Sequence, residues 1–367
     1  MPANDRSRLR RWVARATLTL LALVALALAL EVHARWRFRR IEATNPFSLR
    51  ARAHTPEFSE VFSDDLWREK WFAYEPNKSL HAESGGRIFQ VTINSRGFRS
   101  PEVLVPKPPG TFRIVCVGGS TTVEGFTDDT TYPALLQKRL EERYGTGVFE
   151  VVNAGVSGMR AADELRKLPE YLALEPDLLL EYNGINDLCW GVLPALESKA
   201  PAWRWWFWRS AFLRFHFDLP FQPSSFEMAR RCRALVLPSL RELHAQSRAH
   251  GVDVAFVAFL HPDASVLDGD ERDFFDDDLR RRWGRWSASL ASYSRLVDAY
   301  DRELARMSAE IGAGFFPIHA GFHAGAEEFQ DVCHMTEKGI EHKAEVIFEH
   351  LCAYLEQHHR DALPGAR

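Results

Sequence analysis

Cysteine is scarce: five residues in 367, an odd number with no C-x-x-C spacing, which argues against a disulfide framework or a cysteine zinc site. A basic excess is missing too. Lys and Arg total 46 against 50 Asp and Glu, a formal net charge of −4, so the field that nucleic-acid binding requires is not there and no nucleic-acid partner is expected. No G-x-S-x-G occurs, which excludes the usual α/β-hydrolase elbow, and no Gly-Lys-Ser/Thr makes Gly118 to Thr122 a P-loop. H-E-x-x-H is absent, and His319 and His323, though spaced i, i+4, follow an expected strand, so a loop or packing role is expected for them. The acidic stretch DGDERDFFDDD at 268–278 lacks the Asp spacing and closing Glu of a calcium loop and is expected to be a solvated surface loop. No metal or other cofactor is therefore expected. Internal repeats and low-complexity domains are also lacking.

What is present is enough apolar matter for a large domain: 46% hydrophobic and 12% aromatic residues over 367 positions. The amino terminus stands apart. Arg6, Arg8, Arg10, Arg11 and Arg15 precede an apolar run from Ala16 to Leu30, the shape of an export signal or signal anchor. Ala25, Ala27 and Ala29 would permit cleavage, whereas continuing through Val32 and Ala34 gives a segment long enough to span a bilayer. An uncleaved anchor over residues 1–34 is expected, with the rest of the chain extracytoplasmic, in the periplasm or at the cell surface. The run has no polar stripe, which disfavours a buried core helix.

Residues 35–110 read as a small juxtamembrane β module, with RIFQVTI at 87–93 as a strand and the proline-rich VPKPPG at 105–110 as a linker. Arg96 and Arg99 within TINSRGFRSPE read as solvated turn charges, or alternatively as groups approaching an anionic substrate. From 111 to about 360, short apolar strands alternate with amphipathic helices, the pattern of an α/β domain with helices on both faces of a parallel sheet. Strands are expected near 112–118, 148–153, 177–182, 252–260 and 314–318. Helices are expected near 131–144, 160–174, 225–249, 286–310 and 337–356. The segment PAWRWWFWRSAFLRFHF at 201–217 holds four Trp, four Phe and three Arg. It reads either as an interfacial or lid segment touching lipid or an acyl chain, or as a helix packing its aromatic face on the domain.

Chemistry-bearing residues gather at strand ends. FRIVCVGGSTT at 112–122 stops a strand at two glycines and hands over to Ser120, at the carboxyl edge where open α/β sheets build their sites. NAGVSG at 153–158, YNGINDL at 182–188 and DVCH at 331–334 follow. Taken singly, each has a plain reading: a helix cap at Ser120 and Thr121, a turn at Gly158, an Asx turn at Asn186, solvated loop residues at Asp331 and His334. Together they supply what ester cleavage needs. A serine hydroxyl requires a base, which imidazole provides near neutral pH, and the imidazole needs a carboxylate to hold its tautomer. Charge developing on the carbonyl oxygen requires donors, which backbone N–H groups and a side-chain amide supply. Cys116 and Cys333 read as packing residues.

The four blocks, in this order, resemble the SGNH hydrolases, also called GDSL esterases and lipases, over roughly residues 111–357. The resemblance implies a three-layer α/β/α sandwich with a five-stranded parallel sheet, flavodoxin-like, a serine esterase working through an acyl-serine intermediate, and no cofactor. It implies Ser120 as nucleophile with Asp331 and His334 completing the triad, and Ser120, Gly158 and Asn186 as oxyanion donors. Gly119 stands where the family often has Asp, in a Gly-Gly-Ser form that leaves the serine's role intact. By analogy the substrate is an O-acetylated carbohydrate met outside the cytoplasm. Alternatives are a lipase or lysophospholipase at the membrane, an acyltransferase to a sugar hydroxyl, and a non-catalytic glycan-binding protein. The expected partners are thus an acylated small molecule, glycan or lipid, and a membrane met through the anchor and, in the interfacial reading, through 201–217.

Overall fold

The computed structural model describes residues 3–44, 74–84, 87–198, 209–216, 223–282 and 289–364. Strands β1 (Ser79–Ser84) and β2 (Arg87–Thr92) pair antiparallel as a hairpin. The main sheet is built from β3 (Phe112–Gly118), β4 (Phe149–Asn153), β5 (Leu178–Tyr182), β6 (Asp253–Val257) and β7 (Gly314–Phe316), in spatial order β4-β3-β5-β6-β7 with every pairing parallel. Parallel strands covered on both faces read as unbroken apolar runs, and every residue of β3 is buried. Arg113 is the polar exception. Its guanidinium is satisfied by Glu150 Oε2 at 2.8 Å, the Leu104 carbonyl at 2.7 Å and the Leu174 carbonyl, so the buried charge is paired and bonded.

The helices in chain order are α1 (Ala3–Thr44), the one-turn α2 (Ser120–Val123), α3 (Tyr132–Tyr144), α4 (Ala161–Leu172), α5 (Ala211–His216), α6 (Ser225–Leu235), α7 (Leu237–Ala249), α8 (Gly269–Arg282), α9 (Leu290–Ile311) and α10 (Glu337–His358). Shorter helical pieces follow β5 at Ile185–Asp187, Leu188–Val192 and Leu193–Glu197. α3 packs with α10, while α4 packs with α7 and α6 with α9. Right-handed crossovers place these groups on opposite faces of the sheet. The strand order puts a topological switch point beside β3, so the crevice beyond its carboxyl end is where this architecture builds a site.

Three expectations are corrected. The helix expected over 225–249 is two helices, because Pro238 at the start of α7 has no N–H to continue the α6 ladder and the chain turns at Val236. The acidic stretch 268–278 is not a loop but most of α8. Phe274, Phe275, Asp278 and Leu279 recur at helical spacing and are buried, Asp268 and Asp270 are exposed, and Glu271, Asp273, Asp276 and Asp277 are half-buried. The strand expected to reach residue 260 ends at Val257, since its neighbour β7 is only three residues long. Beyond that point Phe259 N–H bonds Asp301 Oδ1 at 3.0 Å instead of a strand.

The stretch expected as a β module and linker is fastened to the sheet domain. Gln90 N–H donates to the Phe126 carbonyl at 2.8 Å, and Lys107 pairs with Asp177. Arg99, read as a solvated or substrate-facing charge, is buried. It donates to the carbonyls of Val123 and Gly125 at 2.9 Å and of Gln90 at 2.8 Å, and to Asp128 Oδ1 at 3.0 Å. Asn94 prepares that position by accepting the N–H groups of Arg96 and Phe98 at 3.0 Å, with Gly97 at φ +83° closing the turn.

α1 is continuous, and its stretch Arg8–Arg40 is long and apolar enough to cross a membrane; the 18-residue apolar window within it has none of its residues buried. At about 1.5 Å per residue it exceeds the ~30 Å of a hydrocarbon core. Its end docks onto the domain. Glu31 accepts Ala211 N–H at 3.0 Å, Phe212 N–H at 3.1 Å and Ser210 Oγ–H at 2.8 Å, capping α5, and Arg37 pairs with Asp273 of α8. Of the aromatic segment 201–217, residues 201–208 and 217 lie outside the described residues.

Candidate active site

Ser120 opens α2 immediately beyond β3. The two preceding glycines are demanded by space: a Cβ on Gly118, at φ +152°, would lie 2.2 Å from the Tyr182 carbonyl oxygen, and one on Gly119 would lie 2.9 Å from the Asn186 side-chain nitrogen. The sharp turn thus lets the serine stand clear of the strand while the Asn186 amide sits against its backbone. As the first residue of a short helix, Ser120 keeps an N–H without a partner in the helix.

The histidine arrives from the loop ahead of α10. Asp331 Oδ1 accepts the backbone N–H groups of Cys333 at 2.8 Å and His334 at 2.7 Å, folding residues 331–334 into a tight turn. Its other oxygen, Oδ2, lies 2.7 Å from His334 Nδ1, and His334 Nε2 lies 2.8 Å from Ser120 Oγ. With Nδ1–H donating to the carboxylate, Nε2 carries the lone pair and accepts the serine proton. Asp331 is fully buried, whereas the His334 side chain keeps 17% exposure. Asp331, Cys333 and His334 also offer ligand atoms within 4.8 Å of one another. Both histidine nitrogens are engaged, and burial pushes the Cys333 thiol up, away from the thiolate a metal needs. Thr336 caps α10 by accepting Gly339 N–H at 3.2 Å, the role its residue type suggests.

The third group of residues lies between β4, α4 and the end of β5. Gly158, at φ +81°, turns the chain so that Met159 N–H reaches the Val156 carbonyl at 3.3 Å. Ser157 N–H donates to Tyr74 Oη at 3.0 Å, while Gly158 N–H has no acceptor among the described residues. Asn186 Nδ2 donates to the Met159 carbonyl at 2.9 Å, and Asn183 Nδ2 bonds the same carbonyl at 3.1 Å. That fixes one amide proton of Asn186 and leaves the second aimed elsewhere. The arrangement can bring three donors, Ser120 N–H, Gly158 N–H and Asn186 Nδ2–H, to a carbonyl oxygen attacked by Ser120.

Beneath these donors lies a set of acids that sequence reading did not single out. Asp187 Oδ2 accepts Ala161 N–H at 2.9 Å and Glu164 Oε1 accepts from Asn183 at 2.9 Å. Burial pushes Asp187 up to about 7 and, with help from the Asp187 charge, Glu164 up to about 8; burial and the neighbouring Glu164 push Glu181 well above the ordinary carboxyl range. Arg99 and Tyr74 do not stand out in the sequence as supports of the site, because most of their partners are backbone groups brought to them from other segments. His319 and His323 lie away from the triad, in and after a short 3₁₀ turn, with His323 bonded to Asp263 at 3.0 Å.

Solved structures similar to this chain include TesA, at 20% identity and TM-score 0.40 over 65% of this chain and 97% of TesA. A catalytic mutant of Axe2, an acetylxylan esterase from Geobacillus stearothermophilus, has 17% identity and TM-score 0.44 over 65% and 94%. The acetyl xylan esterase AlAXEase has 14% identity and TM-score 0.40 over 65% and 98%. None of the curated proteins matches the chain in sequence. The family model of the GDSL-like lipase/acylhydrolase family matches residues 116–341, more than half of the chain and a span that includes Ser120, Gly158, Asn186, Asp331 and His334. The chain belongs to the GDSL-like lipase/acylhydrolase family and is an SGNH-type serine ester hydrolase.

Proposed function

We propose that Ser120 is the nucleophile, His334 the general base and acid, and Asp331 the carboxylate that orients it, in an enzyme removing O-acetyl groups from carbohydrate outside the cytoplasm. The observation that carries the catalytic part is the unbroken chain from Asp331 Oδ2 through His334 to Ser120 Oγ, with links of 2.7 and 2.8 Å. Ser120 Oγ attacks the ester carbonyl while its proton passes to His334 Nε2. The oxyanion formed is met by Ser120 N–H, Gly158 N–H and the second Asn186 amide proton. Collapse expels the alcohol, which takes the proton from His334 and leaves an acyl-serine. Water, deprotonated by the same histidine, then releases the acid and restores the serine.

Trp190 follows Asn186 by four residues and is 52% exposed, and an exposed indole is a surface on which a pyranose ring stacks, which supports the carbohydrate reading. Residues 111–360 are proposed as the catalytic domain and 1–34 as the anchor, with the Glu31 cap and the Arg37–Asp273 pair setting the domain at a fixed place relative to α1. A lipase is the second reading. It is favoured by the mainly apolar groove that Val24, Ala27, Leu28 and Leu30 of α1 form with Phe212 and Leu213 of α5, with Glu31, Arg209 and Ser210 as its polar lining.

Hydrolysis of para-nitrophenyl acetate, butyrate and decanoate by the full chain in detergent, followed by acetate release from acetylated polysaccharide, separates these readings. Preference for acetate and release from the glycan support the proposal. Preference for decanoate contradicts it in favour of lipid. Transfer of acetyl to an added sugar, in place of release to water, would make the enzyme a transferase with the same triad.

A further inference from the structure

We propose that Lys343 and Glu124 are positioning residues that hold the turn carrying Ser120 against the turn carrying His334. The inference rests on the triad reading given above. Ser120 and His334 are 214 residues apart in sequence, and the bond joining them is one that must exchange its proton in each turnover. A second link between the two turns, independent of the reacting atoms, runs through the core. Lys343 Nζ, from the second turn of α10, donates to the Thr121 carbonyl at 2.8 Å and to Glu124 Oε1 at 2.6 Å. Glu124 Oε2 accepts Met335 N–H at 3.0 Å. The two ends of this chain therefore fall on Thr121 and Met335, the residues immediately after the nucleophile and the base.

The pair is fully enclosed. The Lys343 side chain is 0% exposed and that of Glu124 2%, and the ammonium lies 4.9 Å from the Tyr132 ring and 4.8 Å from the Tyr182 ring. Burying two charges is a poor way to gain stability, because apolar side chains of similar volume serve as well or better. What apolar groups cannot do is fix the Thr121 carbonyl and the Met335 N–H at hydrogen-bond distances from one common pair. Directional bonds to both turns set the separation of Ser120 Oγ from His334 Nε2, and small errors in that separation are costly to rate.

The test is steady-state hydrolysis of para-nitrophenyl acetate by the full chain carrying K343M/E124M, which removes both charges and both links at similar volume. The proposal expects a melting temperature within a few degrees of wild type, kcat lower by tenfold or more, and KM within twofold. K343M/E124Q keeps an acceptor for Met335 N–H and removes the Lys343 bonds to Thr121 and Glu124, so its loss of kcat should be smaller than that of the first variant. If K343M/E124M does not fold, K343M/E124Q decides, with the expected loss then at least threefold at unchanged KM. A folded K343M/E124M with less than a tenfold loss, or a loss carried by KM, overturns the proposal. S120A run in parallel keeps the two readings apart: turnover surviving in S120A would refute the triad itself, whereas an inactive S120A beside an active K343M/E124M refutes positioning alone.

Discussion

Replacing Glu181 by Gln should make the protein more stable in mild alkali and leave it nearly unchanged in mild acid. Glu164 on α4 and Glu181 on β5 face each other in full burial, and no amide or hydroxyl donor among the described residues reaches Glu164 Oε2 or either oxygen of Glu181. The partner each finds is the other carboxyl, a bond that exists only while a proton is held between them. Glu164 is accordingly pushed from 4.5 to about 8, by burial first and by the Asp187 charge second. A carboxyl with its pKa raised on folding binds more protons folded than unfolded. Its contribution to stability is therefore complete below the unfolded value and is lost as pH rises through the folded one. The window runs from about 4.5 to about 8, and the gap corresponds to about 4–5 kcal/mol as an upper bound. Glu181→Gln supplies an amide that donates to Glu164 when it is charged, recovering about 2 kcal/mol at pH 8, or roughly 4–8 °C in melting temperature for a domain of this size. Thermal melts of wild type and E181Q at half-unit steps from pH 5 to pH 8.5 measure this. Curves that diverge as pH rises bear the reasoning out; a constant offset between the two proteins, or a wild type whose stability does not fall over this window, refutes it.

Asp331→Asn keeps the size of the side chain but favours the wrong histidine tautomer, so kcat should fall by about 10⁴ with little change in melting temperature, read from ester hydrolysis and a thermal melt. Asn186→Ala removes one proposed oxyanion donor and should lower kcat by about 10²–10³ with KM nearly unchanged. Arg99→Met strips a buried donor set from the carbonyls of Gln90, Val123 and Gly125 and leaves Asp128 without its ion-pair partner, holding only the Thr92 N–H. It should destabilise the protein by about 3–5 kcal/mol, seen as a fall in denaturation midpoint.

The residues proposed as the triad stand out in the sequence because ester cleavage requires particular residue types at strand ends, and β3, β4 and β5 begin and end within a residue or two of where their apolar runs do. Asp331 and His334 were legible together because one turn joins them. Arg99 was misread because burial of an arginine is invisible locally: its acceptors are carbonyls 24 and 26 residues away, brought to it by the hairpin and α2. Glu124 and Lys343 are 219 residues apart and meet only when α10 packs against α3. In α8 the density of carboxylates masked a helical spacing of Phe274, Phe275, Asp278 and Leu279 that was present in the sequence. The Glu31 cap on α5 could not be foreseen either, since a lone acid at the end of an apolar run reads only as the place where the run stops.

The central claim is that Ser120 is a nucleophile activated by His334. Intact-mass spectrometry of the full chain treated with a fluorophosphonate tests it most directly, with S120A and H334A as companions. The wild type should give a single adduct that maps to Ser120, S120A none, and H334A labelling slowed by orders of magnitude. An adduct that persists in S120A, or labelling of H334A at the wild-type rate, would contradict it.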